Sequence, residues 1–148
     1  MTHLLLLLAL AAAPATPATG GARSPAADDA KATKDDYELD TTGSDSKLKA
    51  GADGKFSLVL RPKNGKKVHP EAPLEVLFKD PKGVKTGKPK LGRNDVVDKA
   101  AKAPEVQTTM RGDKAGSYTV DASVSFFICS DTWCQRMTDR VSIPVTIE

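Results

Sequence analysis

Apolar residues between Phe56 and Ile147 recur with a period of two, a spacing that excludes most folds open to a chain of this size. Phe56, Leu58 and Leu60 alternate with Ser57, Val59 and Arg61, and Leu74, Val76 and Phe78 alternate with Glu75, Leu77 and Lys79. Val106, Thr108 and Met110 oppose Glu105, Gln107, Thr109 and Arg111. The longest run sets Tyr118, Val120, Ala122, Val124, Phe126 and Ile128 against Thr119, Asp121, Ser123 and Ser125. The last sets Val141, Ile143, Val145 and Ile147 against Arg140, Ser142, Pro144 and Thr146. A strand sends successive side chains to opposite faces, so each segment buries one face and wets the other, as antiparallel sheets do. Pro144 has no amide to donate, which predicts an edge strand or an outward-turned amide there.

The punctuation agrees. Asp53-Gly54, Asn64-Gly65 and Asp80-Pro81-Lys82-Gly83 read as turns, and Gly112-Asp113-Lys114-Ala115-Gly116 reads as a hairpin loop. Only Asn94 to Ala103 has helical signals: Asn94 suits a cap, Asp95 the positive end, and Pro104 a stop, with a loop or a single turn as the alternative at about ten residues. The expected fold is all-β, an immunoglobulin-like antiparallel β-sandwich with at most one short helix. The widely spaced cysteines that join the sheets of antibody domains are absent.

That sandwich is expected over 37–148, the size of one ordinary domain. Leu4 to Ala13 is an apolar run too short to span a bilayer but suited to the core of an export signal. Residues 1–18 read as a signal peptide with cleavage between 13 and 22, followed by a linker over 19–36 rich in Ala, Pro, Thr, Gly and Asp. The expected destination is the periplasm or the extracellular space, with no membrane span in the mature protein. Oligomeric state is not fixed by these signals.

The net charge of +3 is unevenly spread. Arg61 to Arg93 carries ten basic residues against Glu71, Glu75 and Asp80. These lysines sit among Gly and Pro with no aromatic residues between them to stack on bases, so solvated loops are expected, and no nucleic-acid partner. His69 lacks the companions of a metal site, and no phosphate-cradling glycine loop occurs, so no metal or cofactor is expected. Nothing resembles a hydrolase constellation. Arg111-Gly112-Asp113 spells an integrin-binding tripeptide, but the same residue types are ordinary turn formers.

The two cysteines, Cys129 and Cys134, bracket Ser130-Asp131-Thr132-Trp133 at the end of the longest strand. In an oxidising compartment such a pair is a structural staple or a thiol–disulfide exchange site. A bridge closing about six residues restricts the unfolded chain by only about 2 kcal/mol. Asp131 disfavours a thiolate, and Arg136 is the nearest basic residue in sequence. Two functions follow. The first is a non-catalytic binding module with a fixed Cys129–Cys134 disulfide, and the second is an exchange relay using both cysteines as the redox pair.

The order Ser125-Phe126-Phe127-Ile128-Cys129, a polar tip, Trp133-Cys134 and a final strand Arg140 to Glu148 resembles the N-terminal periplasmic domain of the thiol–disulfide interchange protein DsbD and its single-domain relatives. Val68-His69-Pro70-Glu71-Ala72-Pro73-Leu74 is similar to the early part of those domains. The resemblance implies an immunoglobulin-like fold in which Cys129 and Cys134 are a redox pair. It also implies a protein partner, a periplasmic thiol protein or a membrane reductase.

Overall fold

A computed structural model of the chain describes residues 31–79 and 82–148. The expected signal, most of the expected linker and the Asp80-Pro81 half of one expected turn lie outside the described residues. Two sheets pack face to face around one core, so the chain is the all-β sandwich its periodicity predicts.

The first sheet has the order β1 (Tyr37–Asp40), β3 (Asp53–Pro62), β8 (Glu105–Gly112), β6 (Val84–Thr86). The second runs β2 (Lys47–Leu48), β10 (Cys134–Ile147), β9 (Gly116–Cys129), β5 (Glu75–Lys79), β7 (Lys90–Gly92), with β4 (Lys67–Val68) on the far end of β9. Read in chain order, β1, β3, β5, β8, β9 and β10 occupy the A, B, C, E, F and G places of the immunoglobulin arrangement. All pairings are antiparallel except β2 with β10, where Thr146 and Ile147 lie beside Lys47 and Leu48.

The period-two residues supply the core. Phe56, Leu58 and Leu60 from one sheet meet Val76, Val124, Phe126 and Ile128 from the other, all fully buried. Two edge-to-face aromatic pairs lock the layers, Phe56 with Phe78 at 4.8 Å and Tyr37 with Phe126 at 4.9 Å between ring centroids.

The expected turn at Asp53-Gly54 is instead the start of β3. Gly54 is there because a Cβ would run into the Leu48 side chain, and the reversal falls earlier, at Gly51 with φ +78°. Asn64-Gly65 does turn: both residues have positive φ, +53° and +71°, and the Lys66 amide donates to Lys63 O at 2.9 Å. Gly112–Gly116 is not a hairpin between paired strands, because β8 and β9 belong to different sheets and the loop crosses between them. Its Arg111 and Asp113 are drawn into ion pairs with each other and with Asp53 and Lys85.

Of the readings open over Asn94–Ala103, the structure has no helix and only one 3-10 turn, Arg93–Asp95, followed by loop. Val96 then bridges Val106, and the Val97 amide donates to Glu105 O at 2.9 Å. That tertiary pairing outcompetes a short helix with few apolar residues to bury.

Pro144 falls on the edge-facing side of β10. Cys134 lies opposite Cys129 and Ser130 N bonds Trp133 O, so the odd residues of β10 exchange amides with β9 and the even ones point away. Pro144 is even and faces Thr119.

The compact unit begins at Lys31, so 31–36, assigned to the linker by composition, belongs to the fold. Ala32 is buried and its amide donates to Gln135 Oε1 at 2.7 Å. The short turn Lys34–Asp36 is closed by the Asp36 carboxylate accepting the Thr33 amide.

Candidate functional site

Cys129 ends β9 and Cys134 opens β10, and as directly opposed residues of the ladder they form a disulfide across the hairpin neck, with Cα atoms 4.0 Å apart. The sequence predicts a bridge at a tip, and it lies there. Alternation places both cysteines on the outer face of the second sheet, away from Phe126 and Ile128. Even so, Cys129 is only 7% exposed, because Lys67 of β4 lies alongside it, whereas Cys134 is exposed.

The tip is self-contained. Ser130 N donates to Trp133 O at 2.9 Å, and Ser130 Oγ accepts the amides of Thr132 and Trp133, both at 3.2 Å. Trp133 is half-buried against the core, with Lys66 Nζ 5.6 Å from its ring centroid. Lys67 pairs with Asp131 at 3.4 Å. Basic residues therefore flank the disulfide on its face of the sheet, Lys67 beside Cys129 on another strand, with its ammonium on Asp131, and Arg136 two places beyond Cys134. No spacing within the cysteine segment could reveal Lys67.

Behind the hairpin, Gln135 and Asp139 stand on the inner face of β10 on either side of Met137, where a run of core residues would otherwise continue. Asp139 accepts from Tyr37 Oη at 2.9 Å and from Lys34 Nζ at 3.0 Å. Burial is the largest influence on Asp139 and would raise its pKa. The Arg140 amide, Lys34 and Tyr37 together outweigh it and hold the carboxyl below its ordinary value. Tyr37 is pushed up to about 12, first by burial and then by Asp139.

These shifts fix a pH dependence. A carboxyl whose folded pKa lies below its unfolded value contributes stability that is present above about pH 4 and lost as pH falls through the folded value. Asp40 behaves alike, lowered to about 2 by hydrogen bonds from Thr42 and Arg61. Tyr37 has the opposite sign, contributing stability below about pH 10 that is lost as pH rises towards 12. Thermal melts from pH 5 to about pH 2 should show the midpoint falling steeply, and less so in Asp139→Asn. Equal slopes for the two proteins would contradict the assigned shift.

His69 sits beside the hairpin, its amide donating to Phe127 O at 3.0 Å. Its Nδ1 accepts the amides of Glu71 and Ala72 at 3.1 and 2.9 Å, so it is a turn residue. Arg93 clamps the same turn: its Nη2 donates to His69 O at 2.6 Å and to Ala72 O at 2.8 Å, and Nε donates to Ala72 O at 3.2 Å. Burial lowers the Arg93 pKa. This clamp joins residues 24 apart and had no local signature.

Among the described residues, no group of three or more His, Cys, Asp or Glu could hold a metal ion, and no helix is long and apolar enough to cross a membrane. No family model matches the chain, and no curated protein matches it.

Proposed function

We propose that the protein is an exported, non-catalytic interaction module in which the Cys129–Cys134 disulfide is a fixed staple. The observation that carries this reading is the place of the bridge. It closes the last rung of the β9–β10 ladder, and one of its cysteines is covered by β4. Such a bond holds the shape of a hairpin whose tip is already satisfied by Ser130. The Leu4–Ala13 run and the preference of stable disulfides for oxidising compartments support export.

The exposure of Cys134 favours one second reading, the exchange relay that the resemblance to the DsbD N-terminal domain implies. There, a partner thiolate attacks Cys134 Sγ, the S–S bond breaks, and its electron pair leaves on Cys129, beside Lys67. A second partner thiolate then attacks the mixed disulfide, releasing Cys134 as a thiolate. The partner dithiol is oxidised and this disulfide reduced by two electrons.

Trapping separates the two. In the onward leg reduced Cys134 attacks a partner disulfide and Cys129 resolves the mixed disulfide. Cys129→Ser keeps the exposed thiol and removes that resolving one, so an exchange protein would accumulate mixed disulfides with oxidised partners. The staple reading expects none above the level of an unrelated exposed cysteine. It also expects Cys129→Ala/Cys134→Ala to fold, with a loss of about 2 kcal/mol in denaturant titration. Failure of the double variant to fold would contradict that magnitude.

A further inference from the structure

Half of the basic stretch that reads as solvated loops gathers in one place: Arg61, Lys63, Lys66, Lys67 and Arg93 line one groove, while Lys79, Lys82, Lys85, Lys88 and Lys90 lie elsewhere. The turn Arg61–Val68 and the segment Lys99–Pro104 face each other across a groove of about 860 Å3, within the range of ligand sites. Seven basic residues and no acidic residue line it, and two of the seven, Lys99 and Lys102, come from outside the basic stretch of the sequence.

The seven are not equivalent. Arg61, Lys63 and Lys67 are paired with Asp40, Glu38 and Asp131. Arg93 is committed to the His69 and Ala72 carbonyls. Lys66, Lys99 and Lys102 make no salt bridge among the described residues, although Lys66 Nζ also stands 5.6 Å from the Trp133 ring centroid and its charge helps to lower the Asp36 pKa. Three ammonium groups around one groove raise the local potential and attract an anion. Between them the wall is apolar, built by Pro62, Pro70, Pro104 and the alanines of 100–103.

The geometry points to this groove as the docking site of an acidic peptide segment of a partner protein, carboxylates meeting Lys66, Lys99 and Lys102 and small aliphatic side chains lying on the proline and alanine wall. A single-stranded nucleic acid fits less well, because no aromatic side chain lines the groove to stack on a base. The inference rests on the interaction-module reading and adds the chemistry of the partner to it.

The test uses a fluorescein-labelled eight-residue peptide of alternating glutamate and leucine, titrated with the whole domain at about 0.15 M ionic strength, where charges beyond about 8 Å are screened. Lys66→Glu/Lys99→Glu/Lys102→Glu should weaken binding at least about tenfold. Lys47→Glu/Lys49→Glu/Lys114→Glu, the same charge change at exposed positions that do not line the groove, should leave it within about twofold. Equal losses in both variants, or no measurable binding by the unaltered domain, would overturn the site. A heparin fragment or an oligonucleotide of equal charge bound more tightly through the same three lysines would overturn the choice of a peptide. Circular dichroism of both variants controls for folding. A failed titration with an untrappable disulfide removes only the groove, whereas trapped mixed disulfides with intact peptide binding remove only the staple.

Discussion

Replacing Phe126 by alanine is expected to destabilise the domain by about 3–5 kcal/mol, a large share of the total for a domain of this size. Phe126 is fully buried on β9, three residue pairs from the hairpin neck, and its ring meets Tyr37 edge to face at 4.9 Å. Truncation would open a cavity between the sheets and remove the contact that seats β1 against β9. Loss of the Tyr37 contact would loosen the oxygen that donates to Asp139, so the acid-dependent part of stability should shrink in the same variant. Urea titration at neutral pH checks the first effect and melts near pH 3 the second. A loss below about 1 kcal/mol would mean that the sheets close over the gap.

Arg93→Met is the second large effect, expected to cost about 2–3 kcal/mol. The substitution keeps an aliphatic stem but strips three hydrogen bonds from the turn His69–Ala72 and leaves two carbonyls unpartnered. Arg93→Lys should recover little, because one ammonium cannot reproduce a planar fork donating to both carbonyls. Full recovery by lysine would show that charge alone, and not the fork, holds the turn. Since the turn forms one side of β4, its loosening should also raise the exposure of Cys129 to thiol-modifying reagents after reduction.

Much of the architecture was legible because one periodic signal controls it. Five segments with alternating apolar residues became β3, β5, β8, β9 and the second half of β10, and their apolar faces became the core. The short strands β1, β2, β4, β6 and β7 were not legible, since two to four residues are too few to show a period. The first half of β10 was missed for a different reason. Gln135 faces Ala32 and Asp139 faces Tyr37, so polar residues take two of the three inward positions around Met137 and break the apolar alternation. The glycines misled in two places: Gly54 is small to let Leu48 in, not to turn the chain, and Gly112–Gly116 carries the chain between sheets instead of joining paired strands.

The candidate site divides in the same way. Two cysteines close in sequence announce their own bridge, and the end of a long strand locates it. Its neighbours come from β4 and from Trp133 folding back, and no local pattern encodes them. The basic groove is the clearest case, because Lys99 and Lys102 join Lys66 only through the packing of two loops separated by more than thirty residues.

The reduction potential of the Cys129–Cys134 disulfide bears most directly on whether this is a staple or a relay. The whole domain is equilibrated in dithiothreitol and glutathione buffers and its free thiols are counted. A fixed staple requires a potential below about −300 mV, beyond the reach of the glutathione pool. A value between about −120 and −270 mV, the range of proteins that exchange disulfides for a living, would contradict the account and give the hairpin to the relay.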